Sequence, residues 1–248
     1  MAYTAEQLRA LSGQEDYASA PVGGSRYDAL AMGKDGNFYL THYSAPKSER
    51  PDPTALGTSV TVPVLKMRRQ FKRWSDADNA YDIKSVEYDA STPTVATTHG
   101  DMSEKQAKAQ GAKVSIILYV LVNGKIAKLK VSGSSLYNPE DTENLRLYTY
   151  LQSFDEGETF ATFETNIKSV TSTYMNKEGV EASTVDMAFS RGKEVADLTA
   201  IGDALTAITT ALPENDARDL KYLGSSKPKT QAPSAYPAEE INPDDVPF

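Results

Sequence analysis

Residues 114–122 and 125–131 are two apolar runs separated by the dipeptide Asn123-Gly124. Asn and Gly tolerate positive φ at the two central positions of a type I′ turn, and this turn matches the twist of paired strands. The sequence therefore predicts a β-hairpin here. Of all the local patterns in the chain, this one most narrows the fold, because it requires an antiparallel pair of strands.

Further strands are predicted on both sides of the hairpin. Residues 59–74 form a long extended segment that opens with alternating valines, and Pro63 inside it indicates an edge or a bulge. The remaining candidate strands are 37–44, 81–88, 159–174 and 180–191.

Helices are predicted in two main places. Asn138 is a suitable N-cap, Pro139 follows it at the first helical position, and acids occupy the first turn, so a helix is expected from there to about Phe154. Residues 194–212 carry apolar side chains three and four apart, and Pro213 is expected to end that helix. Weaker patterns indicate a short helix at 4–11 and a helical turn at 103–110.

The order strand, hairpin, helix, hairpin is that of a five-stranded OB barrel. The first strand is then 59–74, the Asn-Gly hairpin supplies the second and third, and 159–174 and 180–191 supply the last two. The predicted fold class is mainly β with helices (α+β): an OB-fold-like barrel with extra N-terminal elements and a C-terminal helix. A mixed α+β domain without barrel closure is the main alternative.

Composition divides the chain into three regions. Residues 1–212 are predicted to be the OB-fold-like domain, with its N-terminal extension and C-terminal helix. Residues 213–238 are predicted to be a flexible linker, because the stretch from Gly224 holds few residues that could form a core. Residues 239–248 hold four acids and no base, and are predicted to be a disordered acidic tip that binds other proteins.

The chain has no cysteine, which excludes disulfides, thiol nucleophiles and thiolate metal sites. Its N-terminal residues lack the pattern of a signal peptide, and its longest apolar run, 116–122, is far too short to span a membrane. We therefore expect a cytoplasmic protein, in a bacterium or an infected host cell, with no membrane partner.

The last five residues combine acids with a terminal aromatic side chain: Asp244, Asp245, Val246, Pro247 and Phe248. A terminal Phe can fill an apolar pocket while its carboxylate meets a basic group, and the acids steer the segment toward a basic surface. The alternative is an acidic tail that only raises solubility.

This end resembles the C-terminal tip of bacterial and phage-type single-stranded DNA-binding proteins, in which several acids precede Ile-Pro-Phe. The resemblance covers about five to ten of the 248 residues, and residues 1–212 are longer than the core of the cellular proteins. It implies an OB-fold core that binds single strands and a tip that recruits replication, recombination and repair proteins. The longer body departs from the cellular proteins and favours a phage or mobile-element source.

Residues 66–73 include five basic and no acidic residues, although the formal net charge of the chain is −8. Proteins that bind single strands need a positive groove for the phosphates and aromatic side chains on which the nucleobases stack. Period-two alternation places Lys66, Arg68, Gln70, Lys72 and Trp74 on the preferred DNA face, and makes Phe71 a core candidate. A charged strand that only resists edge aggregation is the alternative. The predicted DNA-binding residues are Lys66, Arg68, Arg69, Phe71, Lys72, Arg73, Trp74, Tyr39, Tyr119, Lys128 and Lys130.

No catalytic constellation is apparent. His42 and His99 lack a metal-ligand pattern, and there is no phosphate-binding P-loop. We predict a protein that is not an enzyme, needs no cofactor or metal, and binds single-stranded DNA and replication or repair proteins; its oligomeric state stays open, with a homo-oligomer among the options. Two alternatives are a metal-dependent nuclease with the same tail, and an interaction protein that mimics the tip and binds no DNA.

Overall fold

The structure is a computed structural model that describes residues 27–45, 49–138, 141–175 and 179–225. Within these ranges the mainly β (α+β) class is confirmed. The strands are β1 (Asp28–Met32), β2 (Phe38–Thr41), β3 (Thr54–Gly57), β4 (Ser59–Ser75), β5 (Ala80–Lys84), β6 (Val95–Thr97), β7 (Gly100–Met102), β8 (Lys113–Val122), β9 (Lys125–Val131), β10 (Phe163–Met175) and β11 (Glu181–Glu194). The helices are α1 (Glu104–Ala109), α2 (Leu147–Leu151) and α3 (Leu198–Ser225).

Nine strands form one mixed sheet in the order β11-β10-β4-β8-β9-β1-β2-β3, with β5 also paired to β4. Its pairs are antiparallel apart from β1 with β9. The long strand β4 organises the sheet, because it pairs with β10 near its start, with β8 over most of its length and with β5 near its end. Strands β6 and β7 form a separate small sheet.

The predicted Asn-Gly hairpin is confirmed as β8 and β9. Asn123 and Gly124 have φ values of 50° and 74°, as a type I′ turn requires. The register pairs Val122 with Lys125. Strand β8 is buried on both faces, because Leu118 and Tyr119 point in opposite directions and neither is exposed.

The core has two parts. In the larger one, Ile201, Leu205 and Ile208 from one side of α3 join a cluster that includes Val60 and Val62 of β4. In the smaller one, Phe71 and Ile83 pack with Tyr88, Met102, Leu223 and others. Helix α3 thus contributes side chains to both clusters, and through them it packs with residues from both ends of β4.

The bulge predicted in β4 lies two residues after Pro63. Val64 pairs with Val120 and Lys66 with Tyr119, so Leu65 is the extra residue. Pro63 itself pairs with Glu164 of β10. The bulge shifts the period-two alternation, and both Leu65 and Lys66 are buried.

The helix predicted from Asn138 to about Phe154 is much shorter than expected, since α2 covers only Leu147–Leu151. The Asp141 carboxylate accepts hydrogen bonds from the Asn144 backbone and from the Arg146 guanidinium, which stabilises a turn where the helix was predicted. Arg146 is fully buried and also donates to Ser172. Residues 139 and 140 lie outside the described ranges.

The prediction that Pro213 ends the last helix is wrong, because α3 continues through it to Ser225. Pro213 is exposed, while Asn215, Asp216 and Leu223 beyond it are buried. Their packing offsets the hydrogen bond that a proline removes from a helix. The boundary between domain and linker therefore does not fall at 212, and the predicted helix start moves from 194, where β11 ends, to 198.

No closed barrel is found in the described residues: no ladder joins β9 to β11. Strand β9 pairs with β1 instead. The segment after β9 covers part of the outer edge of β11, where the Met187 amide donates to Ser135 Oγ (2.9 Å) and the Phe189 amide donates to the Leu145 carbonyl (2.8 Å). The helix predicted at 4–11 lies outside the described ranges, and no helix within them is long and apolar enough to cross a membrane.

Helix α1 is fixed to the sheet by Glu104. Its carboxylate accepts hydrogen bonds from Arg69 (3.0 Å) and Tyr88 (2.6 Å) and pairs with Lys108 (2.7 Å). Burial alone would raise the pKa of Glu104, but the three donors outweigh it and lower this pKa from 4.5 to about 2. The stabilisation is therefore complete above the unfolded-state pKa and is lost as the pH falls toward 2.

Replacing Glu104 by Gln should remove this pH dependence. We expect Glu104→Gln to lower the free energy of unfolding by about 2 kcal/mol near neutral pH, after allowing for solvent screening, and by much less at about pH 3. Urea unfolding at both pH values measures the effect. An equal loss at both would contradict the assignment of the stabilisation to the ionised carboxylate.

Candidate nucleic-acid interface

The basic strip predicted as the DNA surface lies on β4, but Arg68 points into the protein and is only 1% exposed. Its Nη1 and Nη2 donate to the Asp216 carboxylate at 2.8 and 3.0 Å, and Nη2 also donates to the Glu87 carbonyl at 2.7 Å. Asp216 belongs to α3, so this bidentate pair joins the helix to the middle of the sheet. Arg68 therefore has a structural role and is not a surface contact.

The Arg68–Asp216 pair is charged at neutral pH. Burial opposes the charge on Arg68, yet its hydrogen bonds to Asp216 raise its pKa above the ordinary value. Burial raises the pKa of Asp216, and the same two hydrogen bonds act in the opposite direction. Because an arginine stays protonated throughout the accessible pH range, the carboxylate that faces it at these distances is ionised.

Glu87 anchors two other predicted contacts. Its carboxylate accepts hydrogen bonds from Tyr119 Oη and from Lys128 Nζ, both at 2.6 Å. Burial alone would raise the pKa of Glu87, but Lys128 and Arg68 lead the groups that lower it. Tyr119 is buried, so it is not available for base stacking, and Lys128 is held in a half-buried ion pair with Glu87.

Most other residues of the basic strip are also buried or paired with acids of the same chain. Arg69 pairs with Glu104, and Arg73 pairs with Asp82. Phe71 lies in the core, as its position in the alternation predicts, and Lys66 is buried with its pKa lowered by burial. Outside the strip, Tyr39 donates its hydroxyl hydrogen to Asp35 at 2.6 Å within the β1–β2 hairpin.

Lys72 and Lys130 do lie at a site: both line a cleft of about 1080 Å³. The cleft is bounded by β1, the first residues of β8, the end of β9 with the turn after it, and residues 183–187 of β11. Single residues of β4, α1, α2 and β10 complete its lining. Five lysines and one acid line it: Lys34, Lys72, Lys108, Lys113, Lys130 and Asp186. We call it the lysine cleft. Lys108 also pairs with Glu104, but the lining as a whole has more basic than acidic side chains, on a chain that is negative as a whole.

Strand register sets three lysines side by side in a row, and two of them line the cleft. Lys72 of β4 is directly opposite Lys113 of β8 on one flank and Lys84 of β5 on the other. The register therefore brings basic side chains from three strands together, and two of them, Lys72 and Lys113, line the cleft.

Aromatic and hydroxyl side chains accompany the lysines. Tyr137, Tyr148 and Tyr174 line the lysine cleft, and Tyr137 is 58% exposed. Beside the lysine row, the half-buried Trp74 packs edge-on against Tyr81, with ring centroids 5.1 Å apart, and Lys72 Nζ is 5.1 Å from the Tyr81 ring centre. The hydroxyl residues of the cleft are Ser115, Ser132, Ser134, Ser135, Ser183 and Thr184.

Sequence reasoning missed most of this cleft, because its residues come from seven separate stretches of the chain, 30–34, 72, 108–115, 130–137, 148, 174 and 183–187. Lys34, Lys108 and Lys113 are single charges without a local pattern. The hairpin register could have located part of it, since Lys113 and Lys130 both lie toward the end of the hairpin away from the Asn-Gly turn.

Within the described residues, no group of three or more His, Asp or Glu side chains is arranged to hold a metal ion. The tip from Asp244 to Phe248 lies outside the described ranges.

Comparison with protein-family models, with curated proteins and with solved structures found no match in any of the three. The fold and the site together define a mainly β protein with a lysine-rich, tyrosine-bearing cleft at one end of its sheet.

Proposed function

We propose that this chain binds single-stranded DNA in the lysine cleft, without catalysis, and recruits replication, recombination or repair proteins through its C-terminal tip. The observation that carries the DNA-binding half is the composition of the cleft: five lysines against one acid, with three tyrosines, on a chain whose net charge is −8. Lysines neutralise phosphates, and tyrosine rings stack on bases of any sequence, so the binding is largely independent of sequence.

The strand order supports this proposal. Strands β11-β10-β4-β8-β9 are consecutive neighbours, which is the order of an OB barrel opened between its third and fifth strands. OB folds bind oligonucleotides on their second and third strands and on the loops that follow the first and fourth. Here the second and third strands are β8 and β9, and the loop after the first strand is the segment containing α1; all three contribute residues to the lysine cleft.

The binding should depend strongly on salt. Each phosphate that a lysine neutralises contributes roughly 0.7 to the negative slope of log K against log salt for a single strand. An electrophoretic mobility shift with single-stranded DNA, duplex DNA and RNA of the same sequence tests the proposal. We expect single-stranded DNA to bind best, and binding to none of the three would contradict the function.

The tip is proposed to act separately from the cleft. Deleting residues 239–248 removes four acids and Phe248, and should abolish binding to purified bacterial replication and repair proteins while leaving the affinity for DNA unchanged or higher. Phe248→Ala is the matched control for charge, and should lose the protein partners with the acids intact. Recovery of the same partners with and without the tip would contradict the recruitment role.

A further inference from the structure

The single acid of the lysine cleft, Asp186, lies in its wall with one oxygen unused. Asp186 is 4% exposed and lines the cleft. Its Oδ1 accepts a hydrogen bond from Ser134 Oγ at 2.5 Å, while Oδ2 is buried without a hydrogen-bond partner. Native proteins rarely leave a buried carboxylate oxygen unpaired, and an unpaired buried polar group usually has a functional reason or a missing partner.

The position of this acid in a phosphate-binding cleft indicates what its partner is. A phosphate would be repelled by the carboxylate, so the partner is a part of the ligand that donates hydrogen bonds. A carboxylate only accepts, and each of its oxygens can accept two hydrogen bonds, so Oδ1 retains capacity beside its bond to Ser134. The terminal torsion of Asp is broad, and its rotation can turn an oxygen toward the cleft.

We propose that Asp186 forms a subsite for the Watson–Crick edge of one guanine of a bound single strand. Guanine presents two adjacent donors, N1–H and the N2 amino group, which match the two oxygens of a carboxylate. Thymine presents one N–H between two carbonyl oxygens, which repel the carboxylate. This edge is free only when the strand is unpaired, so the inference rests on the proposed single-strand binding.

The test compares oligonucleotides that differ at one position. We expect oligo-dT carrying one central dG to bind the wild-type protein roughly tenfold more tightly than oligo-dT, the discrimination typical of one bidentate base contact. Replacing that dG by deoxyinosine, which lacks only the N2 amino group, should remove most of the gain. Fluorescence anisotropy measures all three affinities.

Asp186→Asn keeps the shape of the side chain and removes its charge. This variant should bind oligo-dT at least as tightly as the wild type and show no preference for dG. Equal affinities of the wild type for dG, deoxyinosine and dT would overturn the inference without any variant, as would an unchanged dG preference in folded Asp186→Asn. Failure to bind any oligonucleotide would instead overturn the proposed function.

Discussion

Replacing Lys72, Lys113 and Lys130 together by Glu is expected to lower the affinity for oligo-dT by on the order of 100-fold at about 0.1 M salt. These lysines line the cleft on three adjacent strands, so the variant removes three positive charges and adds three negative ones along one path. The salt dependence should weaken as well, by roughly 0.7 in slope for each phosphate contact that is lost. Fluorescence anisotropy over a series of salt concentrations measures both quantities.

A matched control changes the net charge by the same amount elsewhere. Lys125, Lys168 and Lys221 are exposed and do not line the cleft. Replacing these three by Glu should lower the affinity only by the weak, screened effect of net charge. If both triple variants lose the same affinity, the binding depends on overall charge and the lysine cleft is not the site.

The second large effect is on stability. Asp216→Asn removes the ionic partner to which the buried Arg68 guanidinium is hydrogen-bonded and leaves only the longer ionic contact of its Nε with Asp89 (3.5 Å), and removing one member of a buried ion pair typically costs about 3–5 kcal/mol. We expect this loss in urea unfolding of the variant. Because Arg68 is internal, the folded variant should still bind single-stranded DNA with unchanged affinity at low temperature.

The control for this variant is the Arg191–Glu158 pair, whose side chains are 33% and 28% exposed. Glu158→Gln should cost far less than Asp216→Asn, as is usual for a pair near the surface. A loss for Asp216→Asn no larger than that for Glu158→Gln would show that the internal pair does not hold α3. If the folded Asp216→Asn variant bound DNA more weakly, Arg68 would have to contribute to DNA binding, contrary to its internal position.

Local sequence patterns predicted seven of the nine strands of the large sheet, but not β1 or β3. The Asn-Gly turn gave the hairpin, alternating valines gave β4, and two long β-prone runs gave β10 and β11. Each of these patterns depends on residues that are close in sequence, so the structure that it favours does not depend on distant contacts. The α1 cap was also local, with Ser103 and Gln106 forming a capping box, and the sequence indicated a helical turn there.

The errors came from long-range contacts. Pro213 is a strong local signal for the end of a helix. The helix nevertheless continues, because Asp216 binds Arg68, 148 residues away in sequence, and Leu223 packs into the smaller core. The residues after Asn138 are typical of a helix N-terminus. Hydrogen bonds from the buried Arg146 to Asp141 and Ser172 stabilise a turn there instead. Tertiary contacts override local propensity at both sites.

The candidate site was the hardest part to predict. The strip 66–73 has the right composition, but strand pairing brings acids from β5, α1, α3 and the segment before β6 to its arginines. Of its charges, Lys72 is the one that reaches the cleft, where it meets single lysines from distant segments. A dense cluster of opposite charges is invisible in a one-dimensional sequence when its members lie far apart.

Photo-cross-linking of single-stranded DNA to the intact chain, with the attached residues identified by mass spectrometry, tests the central claim most directly. The lysine cleft predicts cross-links at Tyr137, Tyr148 and Tyr174, with Trp74 and Tyr81 at the margin. Cross-links confined to exposed aromatic residues away from the cleft, such as Tyr43, would contradict it.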